Sequence, residues 1–200
     1  MIVVGLMPAT AQEGFAMLQE NRIAGLLRLD LLTILFLPLY YLLFLGLYGA
    51  LKTNDSANSL LAAVLGVAGV TLKLATPSAF SFLVLSDKYA AATSEAQKAL
   101  FLAAGEAVLA TDLWNGSGAQ LGGLLMQIGM LLISIIMLRS SIFRKLTAWV
   151  GVATHGLDLL HILVAFLFPA VGSAIMFAAG PLYLVWFPLL ARDFFQLGKK

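Results

Sequence analysis

His155-Gly156-Leu157-Asp158-Leu159-Leu160-His161 places two imidazoles and one carboxylate at intervals of three residues inside an otherwise apolar run. On a helix, side chains three apart are neighbours. His155 and Asp158, then Asp158 and His161, therefore share one face, within an arc of about 120° at roughly 100° per residue. Imidazole titrates near neutral pH and an adjacent carboxylate fixes its tautomer, so such a face has the chemistry of a proton relay. The same three groups are zinc or iron ligands, and three protein ligands plus a water describe a catalytic metal site. His155 and His161 stand about 9 Å apart along the axis, however, so a shared ion would need donors from other helices, with Glu106 and Asp30 as the available carboxylates. Haem is disfavoured because the only two histidines lie on one helix. A third role competes with both: polar side chains that hold helices together inside a membrane, worth about 0.6 to 2 kcal/mol each.

Other residues extend this set. Gln120, Gln127 and Ser134 recur every seven residues and make a polar stripe that could face His155–His161. Gly118 and Gly122 on the same segment have the GxxxG spacing of close helix contact, read here as packing within the chain rather than dimerisation. Lys73 and Asp158 fall at similar depths in their segments, which predicts an ion pair because a lone charge there is costly; the alternative is that Lys73 snorkels to the interface. Glu106 with Asp112, and Asp30, form a candidate site at the outer face, Glu106 alternatively facing headgroups or water. Trp114, Trp149, Tyr183 and Trp186 read as interface anchors. With no cysteine, thiolate chemistry and disulfides are excluded. No phosphate-binding glycine loop, serine nucleophile elbow or paired-carboxylate hydrolase site is present.

The elements that must position these groups follow from composition. Of 200 residues, 61% are hydrophobic and 11% charged, against roughly 25% charged in soluble domains; too little polar surface remains to face water. A membrane-crossing helix needs about 20 apolar residues. Residues 31–51, 59–86, 119–138, 146–168 and 172–190 meet that length, the second interrupted at Lys73 and Thr76-Pro77-Ser78. Thr10 with Glu13, and Ser94 with Gln97, fit capping boxes. They predict a surface helix over 10–21 and an interfacial helix over 95–113, the latter too charged to cross unaided. The expectation is an all-α, polytopic helix bundle forming a single domain over residues 1–200.

Lysine and arginine favour the cytoplasmic side in short loops. Arg139, Arg144, Lys145, Arg192, Lys199, Lys200 and Lys52 fall on one side, Arg22, Arg28, Lys88 and Lys98 on the other, which places the C-terminus inside. Met1 to Met7 is too short and uncharged for a cleavable signal peptide.

Leu85-Ser86-Asp87-Lys88-Tyr89-Ala90-Ala91-Ala92-Thr93, continuing through Ala103-Ala104-Gly105-Glu106-Ala107, resembles a bacterial family of small multi-pass membrane proteins catalogued only as a domain of unknown function. Met137-Leu138-Arg139-Ser140, Leu190-Ala191-Arg192 and Phe195-Gln196-Leu197-Gly198 add to the likeness, which covers about residues 10 to 198. The resemblance implies a six-helix bundle in a bacterial inner (plasma) membrane and brings no activity. It also implies a complete first span where this chain has only Ile2 to Met7, and an apolar or aromatic residue in place of Lys73.

The expected role is a membrane protein that moves or senses a proton, ion or small solute through a cavity lined by His155, Asp158, His161, Gln127 and Lys73. A membrane-embedded metal enzyme using His155, Asp158 and His161, and an accessory subunit without a site of its own, are the alternatives. The expected partners are the lipid bilayer and a small solute or ion; neither nucleic acid nor an organic cofactor is expected.

Overall fold

The computed structural model describes residues 7–76, 79–112 and 116–199. The chain is all-helical, 83% helix with no strand among the described residues, and five of its helical segments are long and apolar enough to cross a membrane. Among the described residues ten helices follow in order: α1 (Ala11–Glu20), α2 (Arg22–Arg28), α3 (Leu31–Phe36), α4 (Leu39–Leu51), α5 (Ser56–Leu74), α6 (Ala79–Ala90), α7 (Glu95–Ala110), α8 (Ser117–Arg139), α9 (Lys145–Ala165) and α10 (Pro169–Leu197).

Two of the expected spans are broken. Residues 31–51 divide into α3 and α4 at Leu37-Pro38, because proline has no N–H to return to the carbonyl four residues back. Residues 59–86 divide into α5 and α6; Pro77 and Ser78 lie outside the described residues, as do Met1–Leu6, Trp114 and Lys200. The last helix begins earlier than expected, at Pro169, since a proline is accommodated in the first turn, where its missing N–H would have no partner anyway. Pro181 and Pro188 lie inside it, a placement that spans tolerate when neighbouring groups satisfy the freed carbonyls.

The chain, read from sequence as one domain, divides into two compact units: residues 1–38 with 72–120, and residues 39–71 with 121–200. In the first, α1 opens as the capping box requires, Thr10 Oγ1 accepting from the Glu13 N–H at 3.2 Å. The return bond reaches one residue further back than the rule states, from Ala9 N–H to Glu13 Oε2 at 2.9 Å. Ser94 and Gln97 repeat the arrangement at α7, where Thr93 N–H reaches Gln97 Oε1 at 3.1 Å. Phe15, Leu18, Leu29 and Phe82 make the core of this unit with Ala11 and Ala79, Phe15 meeting the rings of Phe82 and Tyr89 at 4.8 and 5.4 Å.

In the second unit, glycines let backbones touch. A Cβ on Gly69 would lie 2.5 Å from Gly122 O, and one on Gly129 would lie 2.6 Å from Ala62 O. α5 and α8 therefore pack main chain against main chain, which puts Gly122 to use within the chain. The ring of Phe44 fills the remaining space beside Gly66. α9 and α10 form an antiparallel hairpin. Gly172, Ala179, Trp186 and Asp193, seven apart on α10, are all buried, the repeat that keeps a helix seam facing one partner. Leu167, Phe177 and Leu184, each more than 70% exposed, point away from that seam and give the hairpin a lipid-compatible surface.

Candidate functional site

Along α9 the buried face runs through Thr147, Gly151, Thr154 and His155, and one turn further it reaches Asp158, which is half-buried. Asp158 Oδ2 accepts two hydrogen bonds, from Gln127 Nε2 of α8 at 2.6 Å and from the Tyr183 hydroxyl of α10 at 2.7 Å. Gln127 Nε2 also donates to the Tyr183 oxygen at 3.0 Å, so the three polar groups close a triangle. On its other side, Gln127 Oε1 lies 2.8 Å from His155 Nδ1. An amide oxygen only accepts, so Nδ1 carries a proton and donates it to Gln127 Oε1.

His155 is 1% exposed and its ring meets Trp186 edge-on, centroids 4.5 Å apart, and Tyr183 at 5.5 Å. Neither His155 Nε2 nor Trp186 Nε1 has a hydrogen-bond partner among the described residues. Gly151 makes room for this packing: a Cβ there would fall 2.5 Å from Ser134 Oγ and 2.6 Å from Trp186 Nε1. The stripe residue Ser134 is fully buried and turns its hydroxyl back to Met130 O.

The arrangement fixes what each group can do. A direct relay from His155 to Asp158 is interrupted by Gln127, because an amide does not exchange protons as an imidazole or carboxyl does. Gln127 acts as a clamp instead: His155 holds its oxygen, which aims its NH₂ at the carboxylate.

The structure brings together Gln127, His155 and Asp158 from the sequence-derived set and leaves His161 outside the cluster. His161 Nδ1 meets Gly172 O at 2.9 Å, which ties the end of α9 to the start of α10. Among the described residues no three His, Asp or Glu side chains converge as a metal site would need. Lys73, near the C-terminal end of α5, and Gln120, near the start of α8, belong to the first unit.

The outer-face candidates are placed at helix starts. Glu106 Oε1 accepts the N–H of Ala11, the first residue of α1, at 2.7 Å. Gly105 beside it lets α1 approach, a Cβ there falling 2.7 Å from Ala11 Cβ. Asp30 accepts the N–H of Ala79, the first residue of α6, at 2.9 Å. Burial holds its carboxyl above the usual carboxylate range, with Asp112 adding repulsion. Asp112 is buried beside it, lining the same small cavity.

Two readings from sequence are corrected. Trp186, taken as an interface anchor, is fully buried, and Tyr183 carries the carboxylate. The signal was available in their position: Tyr183 lies at the middle of α10, about 21 Å from its start at 1.5 Å per residue, too deep for a headgroup contact. Asp193 was overlooked. It is 3% exposed and accepts from Thr147 Oγ1 at 2.6 Å and from the Arg144 N–H at 3.2 Å, which pins α10 to the start of α9.

Apolar helices of spanning length, with polar side chains that satisfy one another internally, define a polytopic helical membrane protein. No family model, curated protein or solved structure matches the chain.

Proposed function

We propose that this protein takes up and releases a proton, or binds a small cation in its place, at Asp158, and so moves or senses that ion within a membrane. The observation that carries the reading is a mid-helix carboxylate whose two hydrogen-bond donors, Gln127 and Tyr183, are both uncharged. Neutral donors orient a carboxylate without cancelling its charge, and a charge at that depth is costly until a proton or cation balances it. His155 acts through Gln127 as a positioning residue. The resemblance noted above, and the basic residues of the α8–α9 loop and the C-terminal tail, favour a bacterial inner membrane with that loop and the C-terminus in the cytoplasm.

The test is proton flux into proteoliposomes under an imposed potential, paired with infrared difference spectra across a pH titration. Asp158→Asn is expected to cut flux by about tenfold or more, the equivalent of about 1.4 kcal/mol on the barrier, and to remove one carboxyl C=O band. Tyr183→Phe is expected to shift that band and lower the flux less. Flux and band both unchanged in Asp158→Asn would overturn the proposal. A titrating band without wild-type flux restricts the role to sensing.

A further inference from the structure

The loop joining α8 to α9 carries a site of different chemistry, independent of Asp158. Residues 139–145 line an open depression on the surface. Arg139, Arg144 and Lys145 are exposed around it, yet the loop that bears them is firmly built. Lys145 Nζ turns back to donate to Leu138 O and to Ser140 O, closing the end of α8. Phe143 is buried with its ring edge-on to Phe194 at 5.7 Å. Arg144 is held through its N–H by Asp193, whose other oxygen lies 3.7 Å from Arg144 Nε.

The lining of this depression is positively charged. Asp193 is buried and spends Oδ2 on Thr147 and the Arg144 N–H. The depression's lining residues include Arg139, Arg144 and Lys145 and no carboxylate. Donors remain as well: the backbone N–H groups of Ser141, Ile142 and Phe143 have no hydrogen-bond partner among the described residues. Successive free N–H groups beside a helix start favour an anion. The loop also joins the ends of two apolar spans, the level at which phospholipid phosphates lie.

We propose that the α8–α9 loop binds a phosphate group, carried either by an anionic phospholipid headgroup or by a soluble phosphate. The guanidinium of Arg139 and the free loop N–H groups supply the hydrogen bonds; Lys145 and Arg144 supply charge while holding the loop's shape.

The test uses the full chain in detergent, with native mass spectrometry reading retained phosphatidylglycerol against phosphatidylcholine, with and without millimolar inorganic phosphate. The variants are Arg139→Gln and Ser141→Asp. Neither removes a hydrogen bond that frames the loop, so both keep the wild-type unfolding temperature. The wild type is expected to retain phosphatidylglycerol in preference, and each variant to retain about fivefold less, the effect of one charge near the membrane surface. Displacement of the lipid by inorganic phosphate identifies a soluble phosphate as the ligand; undisturbed lipid identifies the headgroup. Equal retention of the two lipids, or a preference that survives both substitutions, overturns the proposal.

Discussion

The two units treat their carboxylates in opposite ways. In the first, Glu106 and Asp30 each accept a backbone N–H at the first residue of a helix, Ala11 of α1 and Ala79 of α6. In the second, Asp158 sits in the middle of α9 and draws its hydrogen bonds from side chains of α8 and α10. A helix start has N–H groups without partners, so an acid placed there repairs a defect the helix already has. A helix middle offers none, and an acid there must draw its donors from the side chains of other helices. Asp193 shows that position matters more than unit: it lies in the second unit but at the start of α9, and there it caps. Burial alone would mislead, since Asp30 and Asp193 are more deeply buried than Asp158.

The largest expected effect tests the packing difference on which this contrast stands. Gly129 faces main chain, Ala62 O and Gly66 N, whereas Gly105 faces the side chains of Ala11 and Phe15. Gly129→Ala would meet two fixed main-chain atoms and Gly105→Ala one fixed atom, Ala11 Cβ, beside a ring that can turn. The first is therefore expected to cost about 3 kcal/mol and the second about 1 to 2 kcal/mol, within the overpacking range. Unfolding of the purified protein in mixed detergent measures both. Equal costs would mean that α5 and α8 are not in main-chain contact.

A middle-sized effect separates clamp from cap. Gln127→Leu leaves Asp158, Tyr183 and His155 Nδ1 short of partners and is expected to cost about 2 kcal/mol, within the range for stranded polar groups. Glu106→Ala removes one cap and is expected to cost about 1 kcal/mol. Only Gln127→Leu should also shift the Asp158 carboxyl band. If Glu106→Ala moves that band equally, the division into structural and functional acids fails.

How far the sequence disclosed this contrast depends on the kind of interaction. The spans were legible because twenty apolar residues have few alternatives, and the helix starts because Thr10, Glu13, Ser94 and Gln97 carry their own local signal. Residues 155–158 and Gln127 were legible as polar groups in an apolar run. Tyr183 was not, because its amphipathic ring suits both an interface and a buried hydrogen bond, and only the register of α9 against α10 decides between them. His161 was misgrouped for the same reason: helical spacing puts it on the face of Asp158, while the turn at Phe168 brings Gly172 O to its ring. Glu106 and Asp30 looked like site residues because their partners are backbone atoms distant in sequence, which no spacing rule reveals.

The smallest expected effect compares two capping aspartates, one from each unit. Asp30 is buried, and desolvation holds its carboxyl above the ordinary value near 3.8. Asp55 lies in the open before α5, where Asn58 donates to it from both backbone and side chain and holds it below that value. The native state therefore binds the Asp30 proton more tightly than the unfolded chain does, and the Asp55 proton less tightly. Stability owed to Asp30 is complete below about pH 3.8 and declines as pH rises through its raised native value; stability owed to Asp55 is complete above about pH 3.8 and declines as pH falls through its lowered one. Asparagine is also a good cap, so Asp30→Asn should change stability by less than about 1 kcal/mol and Asp55→Asn should change it little. Their pH trends distinguish them. From pH 3 to 6, about the range in which carboxylates titrate, the unfolding temperature of the wild type should fall relative to Asp30→Asn and rise relative to Asp55→Asn. Parallel trends would show that the first unit does not bury its cap as deeply as its hydrogen bond to Ala79 implies.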